Sequence, residues 1–78
     1  MEIQEFLGYL KEQFEDIDTS NFNAGTKFKY NDEYSSLTGM SIIAMVDEKY
    51  NITLTGNDLK EASTIEELFN QVKSKKNL

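Results

Sequence analysis

The stretch EYSSLTGMSIIAMVDEKYNITL, residues 33–54, decides how this chain is read. Two serines, Ser35 and Ser36, stand before an apolar run long enough for four turns of helix. Leu37, Met40, Ile43, Ala44, Val46 and Tyr50 recur at helical spacing and predict a broad buried face. Asn51 closes the run and suits a left-handed cap. Ile52 and Leu54 then turn a short link inward. A serine in this place is ordinarily a helix cap, its oxygen accepting a first-turn N–H.

Upstream, Ile3, Phe6, Leu7, Leu10 and Phe14 form a stripe that predicts a first helix from Met1 to about Asp16. Residues 17–35 carry no sustained period and are rich in Asn, Ser, Thr, Asp and Gly, so they read as one long loop. Such a loop in so small a domain points to function or disorder. Phe22, Phe28, Tyr30 and Tyr34 argue for order, with some of them plugging the core. Downstream, Thr55 and Asp58 mark the start of a short third helix that turns Leu59 and Ala62 inward. Ser63–Glu66 and Thr64–Glu67 both have capping-box spacing before a last helix built on Ile65, Leu68, Phe69 and Val72. Lys73, Lys75 and Lys76 complement its C-terminal dipole. The expectation is an all-α, four-helix bundle, residues 1–78 as one domain, with a long loop between helices 1 and 2 and a short third helix.

Composition removes several functions. The 78 residues hold 14 acidic side chains and eight lysines, no arginine, and a net charge of −6. Such a chain is expected to avoid nucleic acid and anionic membranes and to favour basic protein surfaces. With no cysteine and no histidine, thiolate chemistry and the commonest general base and metal ligand are missing. A serine hydrolase, and enzymatic activity in general, are not expected. The acidic stretch from Asp16 starts like a calcium loop, but Asn21 stands where glycine is needed and Lys27 where a bidentate glutamate is needed. No metal site is expected. Nothing in the sequence reads as a membrane span or a signal peptide, so the expected setting is a cytoplasmic monomer.

The segment SSLTGMSIIAMVDEKYNITL resembles the central segment of acyl carrier proteins, in which an Asp-Ser-Leu triplet opens the second helix. Ser36-Leu37 matches the Ser-Leu pair. Asp47, Glu48 and Tyr50 stand where that family has acidic residues and an aromatic. Phe28 lies eight residues before Ser36, as the family's loop phenylalanine does, and Thr64-Ile65 matches the start of its last helix. The resemblance spans the whole chain without a gap.

It implies that Ser36 is the attachment point of 4′-phosphopantetheine, delivered from coenzyme A by a phosphopantetheinyl transferase. The thiol of that arm carries acyl intermediates as thioesters among acyl-loading and acyl-processing enzymes, as in fatty-acid or polyketide-like biosynthesis. Phe28, Met40, Ile43, Val46, Leu59 and Ala62 are then the candidates to line an acyl pocket, with Leu68 left to the core. Asp32, Glu33, Leu37, Asp47 and Glu48 are the candidates for partner docking. The chain departs from the pattern at Ser35, where the family has aspartate, and at Thr38 and Ser41, where Asp and Glu are usual. These departures favour a specialised pathway. They also leave open an aminoacyl or peptidyl carrier, and an unmodified helical adaptor that binds protein partners.

Overall fold

A computed structural model describes residues 2–15, 17–31 and 33–76. Four helices run in order: α1 Ile3–Lys11, α2 Ser36–Tyr50, α3 Gly56–Glu61 and α4 Ile65–Lys76, with a 3₁₀ turn at Phe28–Tyr30 before α2. No strand occurs among the described residues, and none of their helices is long and apolar enough to cross a membrane. The fold is the all-α bundle expected. α1 packs on α2 and α4, and the short α3 bridges α2 and α4.

α1 buries Phe6, Leu7 and Leu10 and stops sooner than its apolar stripe suggests. The Gln13 side-chain amide donates to the Tyr9 carbonyl at 3.0 Å. That carbonyl is the one the Gln13 backbone N–H would use to continue the helix. The N–H turns instead to Leu10 O at 3.0 Å, and Phe14 N–H to Lys11 O at 3.1 Å, a 3₁₀-type ending. Phe14 stays buried and meets Phe22 edge-on, ring centroids 5.3 Å apart. Met1 and Asp16, the expected ends of this helix, lie outside the described residues.

The buried face of α2 differs from the expected one. Thr38, Gly39, Ile42, Met45 and Val46 turn inward. Leu37 and Met40 are 74% and 65% exposed, Ala44 is exposed, and Ile43 and Tyr50 are half-buried. The stripe is rotated by about one residue, roughly 100° around the helix. A buried threonine makes this possible. The Thr38 hydroxyl donates to Glu33 O at 3.0 Å and accepts from Ser35 N–H at 3.2 Å, so its burial leaves no unmet polar group. The helix ends where expected: Asn51 is left-handed, with φ 57° and ψ 41°, and donates to Asp47 O at 2.9 Å. Ile52 and Leu54 are buried after it.

At α3 the Thr55 hydroxyl accepts from Asp58 N–H at 3.1 Å, and the Asp58 carboxylate accepts from Thr55 N–H at 2.9 Å. Lys75 at the far end of α4 reaches the same carboxylate at 3.0 Å. These bonds, that from Thr55 N–H first, hold the Asp58 carboxyl below the usual carboxylate range against the opposing effect of burial. Of the two capping boxes proposed for α4, the structure uses Thr64–Glu67: Thr64 Oγ1 accepts from Glu67 N–H at 3.2 Å. The Glu67 carboxylate reaches one residue further back than that box requires, to Ser63 N–H at 2.8 Å.

The long loop is anchored at three places. Ala24 O and Thr26 O accept from Glu66 and Ile65 N–H, at 2.8 and 3.0 Å, and so satisfy first-turn donors of α4. Phe28 is 0% exposed in the core and meets Tyr34 edge-on at 5.9 Å. Lys29 Nζ donates to Leu59 O and Lys60 O, at 2.7 and 2.9 Å, where α3 ends. Of the loop aromatics, Phe22 and Tyr34 are half-buried against the core and Tyr30 points away from it, 75% exposed. Within the calcium-like stretch Asp18 Oδ1 accepts from Ser20 N–H at 2.9 Å, while its first residue, Asp16, lies outside the described residues.

Candidate functional site at the start of α2

Ser35 and Ser36 have different surroundings. Ser35 is the N-cap: its hydroxyl accepts from Thr38 N–H at 3.4 Å, and Thr38 returns the bond to Ser35 N–H. Ser36 is the first helical residue. It is exposed, and its hydroxyl bonds to no other described residue. The N–H groups of Ser36 and Leu37 are first-turn donors, which have no acceptor within a helix. No acidic residue stands in that first turn. The start of α2 therefore offers a hydroxyl with no partner among the described residues, at a helix end whose dipole favours an anion.

A cleft of about 420 Å³ opens beside Ser36, within the ~300–1,000 Å³ typical of small-ligand sites. Its walls come from α2 (Ser36, Gly39, Met40, Ile43), α3 (Gly56, Leu59, Lys60) and the loop (Lys29, Tyr34, Ser35). Gly39 makes the cleft possible. A Cβ there would sit 3.1 Å from the Tyr34 hydroxyl and 3.5 Å from Leu59 Cδ1. Burial raises the Tyr34 phenol above its ordinary pKa, so it stays protonated.

Of the six residues proposed for an acyl pocket, Met40, Ile43 and Leu59 line this cleft with Ser36. Phe28, Val46 and Ala62 do not. All three are 0% exposed and belong to the core beneath it. Ala62 caps the C-terminal end of α3, with its N–H on Asp58 O and Leu59 O, so a larger side chain there strikes the core and not the cleft. The rotation of α2 brings Met40 to the surface beside Ser36, while Val46 stays in the core where the sequence placed it.

The docking candidates are spread out. Leu37 is exposed next to Ser36, and Glu33 is half-buried with its carbonyl held by Thr38. Asp47 and Glu48 are exposed near the other end of α2, about 16–18 Å along the axis from Ser36. Asp47 continues the Ser36–Met40–Ile43 row, and Glu48 the Leu37–Ser41–Ala44 row. Asp32 lies outside the described residues. Sequence reasoning missed Lys29, Tyr34, Gly39, Gly56 and Lys60 as cleft residues. Gly39 carried the one available signal, a glycine at a costly position inside a helix.

No protein-family model, curated protein or solved structure matches this chain. Among the described residues no group of three or more acidic side chains is placed to hold a metal ion.

Proposed function

We propose that this chain is an acyl carrier, bearing acyl groups as thioesters on a 4′-phosphopantetheine arm joined to Ser36. The observation that carries the reading is the division of labour between the two serines. Ser35 is spent on the helix cap, while Ser36 presents an unengaged, exposed hydroxyl at the edge of a cleft.

The residues present fit the arm. A phosphodiester on Ser36 Oγ would lie beside the N–H groups of Ser36 and Leu37, which have no acceptor among the described residues, where the helix dipole favours an anion. Ser35 in place of the family's aspartate removes a carboxylate from that anion's neighbourhood. When bound, the arm supplies a terminal thiol that holds the cargo. The chain contributes the hydroxyl and its placement, the transferase contributes the proton chemistry, and Met40, Ile43 and Leu59 offer the cargo an apolar wall. Glu33, Leu37, Asp47 and Glu48, with Asp32, are the proposed contacts for basic partner enzymes.

The test is incubation of the full chain with coenzyme A and a broad-specificity phosphopantetheinyl transferase, read by intact and peptide mass. One arm is expected, on Ser36, and none on Ser36→Ala. Ser35→Ala should still be modified, though loss of the cap costs it about 0.5–2 kcal/mol. Transfer should slow as salt rises and when Glu33, Asp47 and Glu48 are reversed in charge, because exposed charges act over roughly 8 Å at physiological salt. An adduct on Ser35, or one surviving Ser36→Ala, overturns the assignment. Failure to accept any arm favours the unmodified adaptor. Loading by amino-acid-activating enzymes alone favours the aminoacyl or peptidyl carrier.

A further inference from the structure

The cleft beside Ser36 is not uniformly apolar, and its polar groups share one character. Lys29, Lys60 and Tyr34 line it, and among the described residues no carboxylate does. Lys29 is half-buried, and its ammonium is fixed by the carbonyls of Leu59 and Lys60 at 2.7 and 2.9 Å. Two of its three N–H donors are thereby used, leaving one. The Tyr34 hydroxyl lies over Gly39, 3.1 Å from where a Cβ would be, and bonds to no described residue. Next to these donors are Met40, Ile43 and Leu59. A wholly apolar chain would cover the half-buried Lys29 and Tyr34 donors without matching them; Lys60 is exposed at the rim.

We propose that the cleft selects a cargo with a short apolar stem and a terminal carboxylate, the stem on Met40, Ile43 and Leu59 and the carboxylate on Lys29, Tyr34 and Lys60. The assignment of such a cargo to Ser36 rests on the carrier reading above. An anionic oxygen could also come from the phosphodiester of the arm itself, and the experiment separates the two sources.

The chain has no cysteine, so a Ser36→Cys variant can be labelled at one place without any transferase. Its thiolate displaces methanesulfinate from an ω-carboxyalkyl methanethiosulfonate, or from the methyl-ended reagent of equal length, to give a disulfide-tethered chain. With a ¹³C-labelled carboxyl, NMR titration reads the pKa of the cargo directly. A cation within about 4–6 Å lowers a carboxyl pKa by about 1 or more. A drop of that size is expected in the folded protein relative to the same adduct in urea. Lys29→Met should remove most of it. Because Lys29 also holds the end of α3, Tyr34→Phe and Lys60→Met serve as variants that keep that anchor, and together they should halve the drop.

An equal or higher pKa in the folded state overturns the proposal, as does a drop that persists in all three variants. If attaching the bare arm to wild-type Ser36 already shifts the Lys29 and Lys60 side-chain signals, and a carboxylate adds nothing, the phosphodiester is the anion and the cargo assignment falls. Failure of transferase modification sinks the carrier reading but leaves the tethered-chain result standing. Loss of the pKa drop does the reverse.

Discussion

Phe28→Ala is expected to lose about 3–5 kcal/mol of folding free energy, the usual result of truncating a fully buried phenylalanine. Phe28 comes from the loop, not from a helix, yet it is 0% exposed and packs edge-on against Tyr34. A domain of 78 residues has about 4–12 kcal/mol in all, at roughly 0.05–0.15 kcal/mol per residue. The variant should therefore lose about a quarter or more of its stability and unfold at a clearly lower urea concentration. Urea denaturation read by circular dichroism measures it. Tyr30→Ala, two residues on and 75% exposed, should change stability by less than about 0.5 kcal/mol. A Phe28→Ala loss below about 1 kcal/mol would mean that the loop is an appendage and that the helices pack without it. The cleft, which takes Lys29 and Tyr34 from that loop, would then have no fixed wall.

The second large effect concerns the cargo and rests on the proposed arm at Ser36. Acyl chains of increasing length on the arm should raise the melting temperature stepwise until the cleft is full. A tethered chain that enters only the folded state stabilises it, by up to about 0.8 kcal/mol for each methylene removed from water. In a domain of this size 1 kcal/mol moves the melting temperature by roughly 4–8 °C. The NMR signals of Met40, Ile43 and Leu59 should move with chain length, while those of Val46 and Ala62, buried in the core, should move less. Gly39→Leu is the blocking variant, because a side chain there grows into the space between Tyr34 and Leu59. It should abolish the rise and leave Ser36 open to modification. A long-chain form that melts with the bare arm form, with no shift at Met40, Ile43 or Leu59, would show that the cargo stays in solvent.

What could be read in advance follows the range of the forces involved. Thr55 with Asp58, the left-handed Asn51 and the Thr64–Glu67 cap are contacts among near neighbours, and their residue types announce them. The hydrophobic periods of α1 and α4 likewise identify which residues face inward. The inward face of α2 was hidden because its key residue is polar. Thr38 enters the core only because Glu33 O and Ser35 N–H are placed to meet its hydroxyl, and hydropathy carries no sign of that. The early end of α1 depends on one side-chain amide, Gln13, competing for a backbone carbonyl. In the candidate site, the serine pair was legible and so were three of the apolar neighbours. The cationic wall was not, because the partners of Lys29 lie 30 and 31 positions away.

The bonds from Ile65 and Glu66 to Thr26 and Ala24 have a consequence for how the molecule opens. Leading amides of a helix ordinarily exchange with solvent quickly, since nothing inside the helix accepts them. Here those two amides are locked by a segment about forty positions earlier in the chain. The loop and the first turn of α4 therefore form a single opening unit. Deuterium uptake at Ile65 and Glu66 should be slow, and should quicken together with that of the loop under mild denaturant while the middle of α4 stays protected. The backbone of α4 thus carries a built-in gauge of whether the distant loop, and with it one wall of the cleft, is in place.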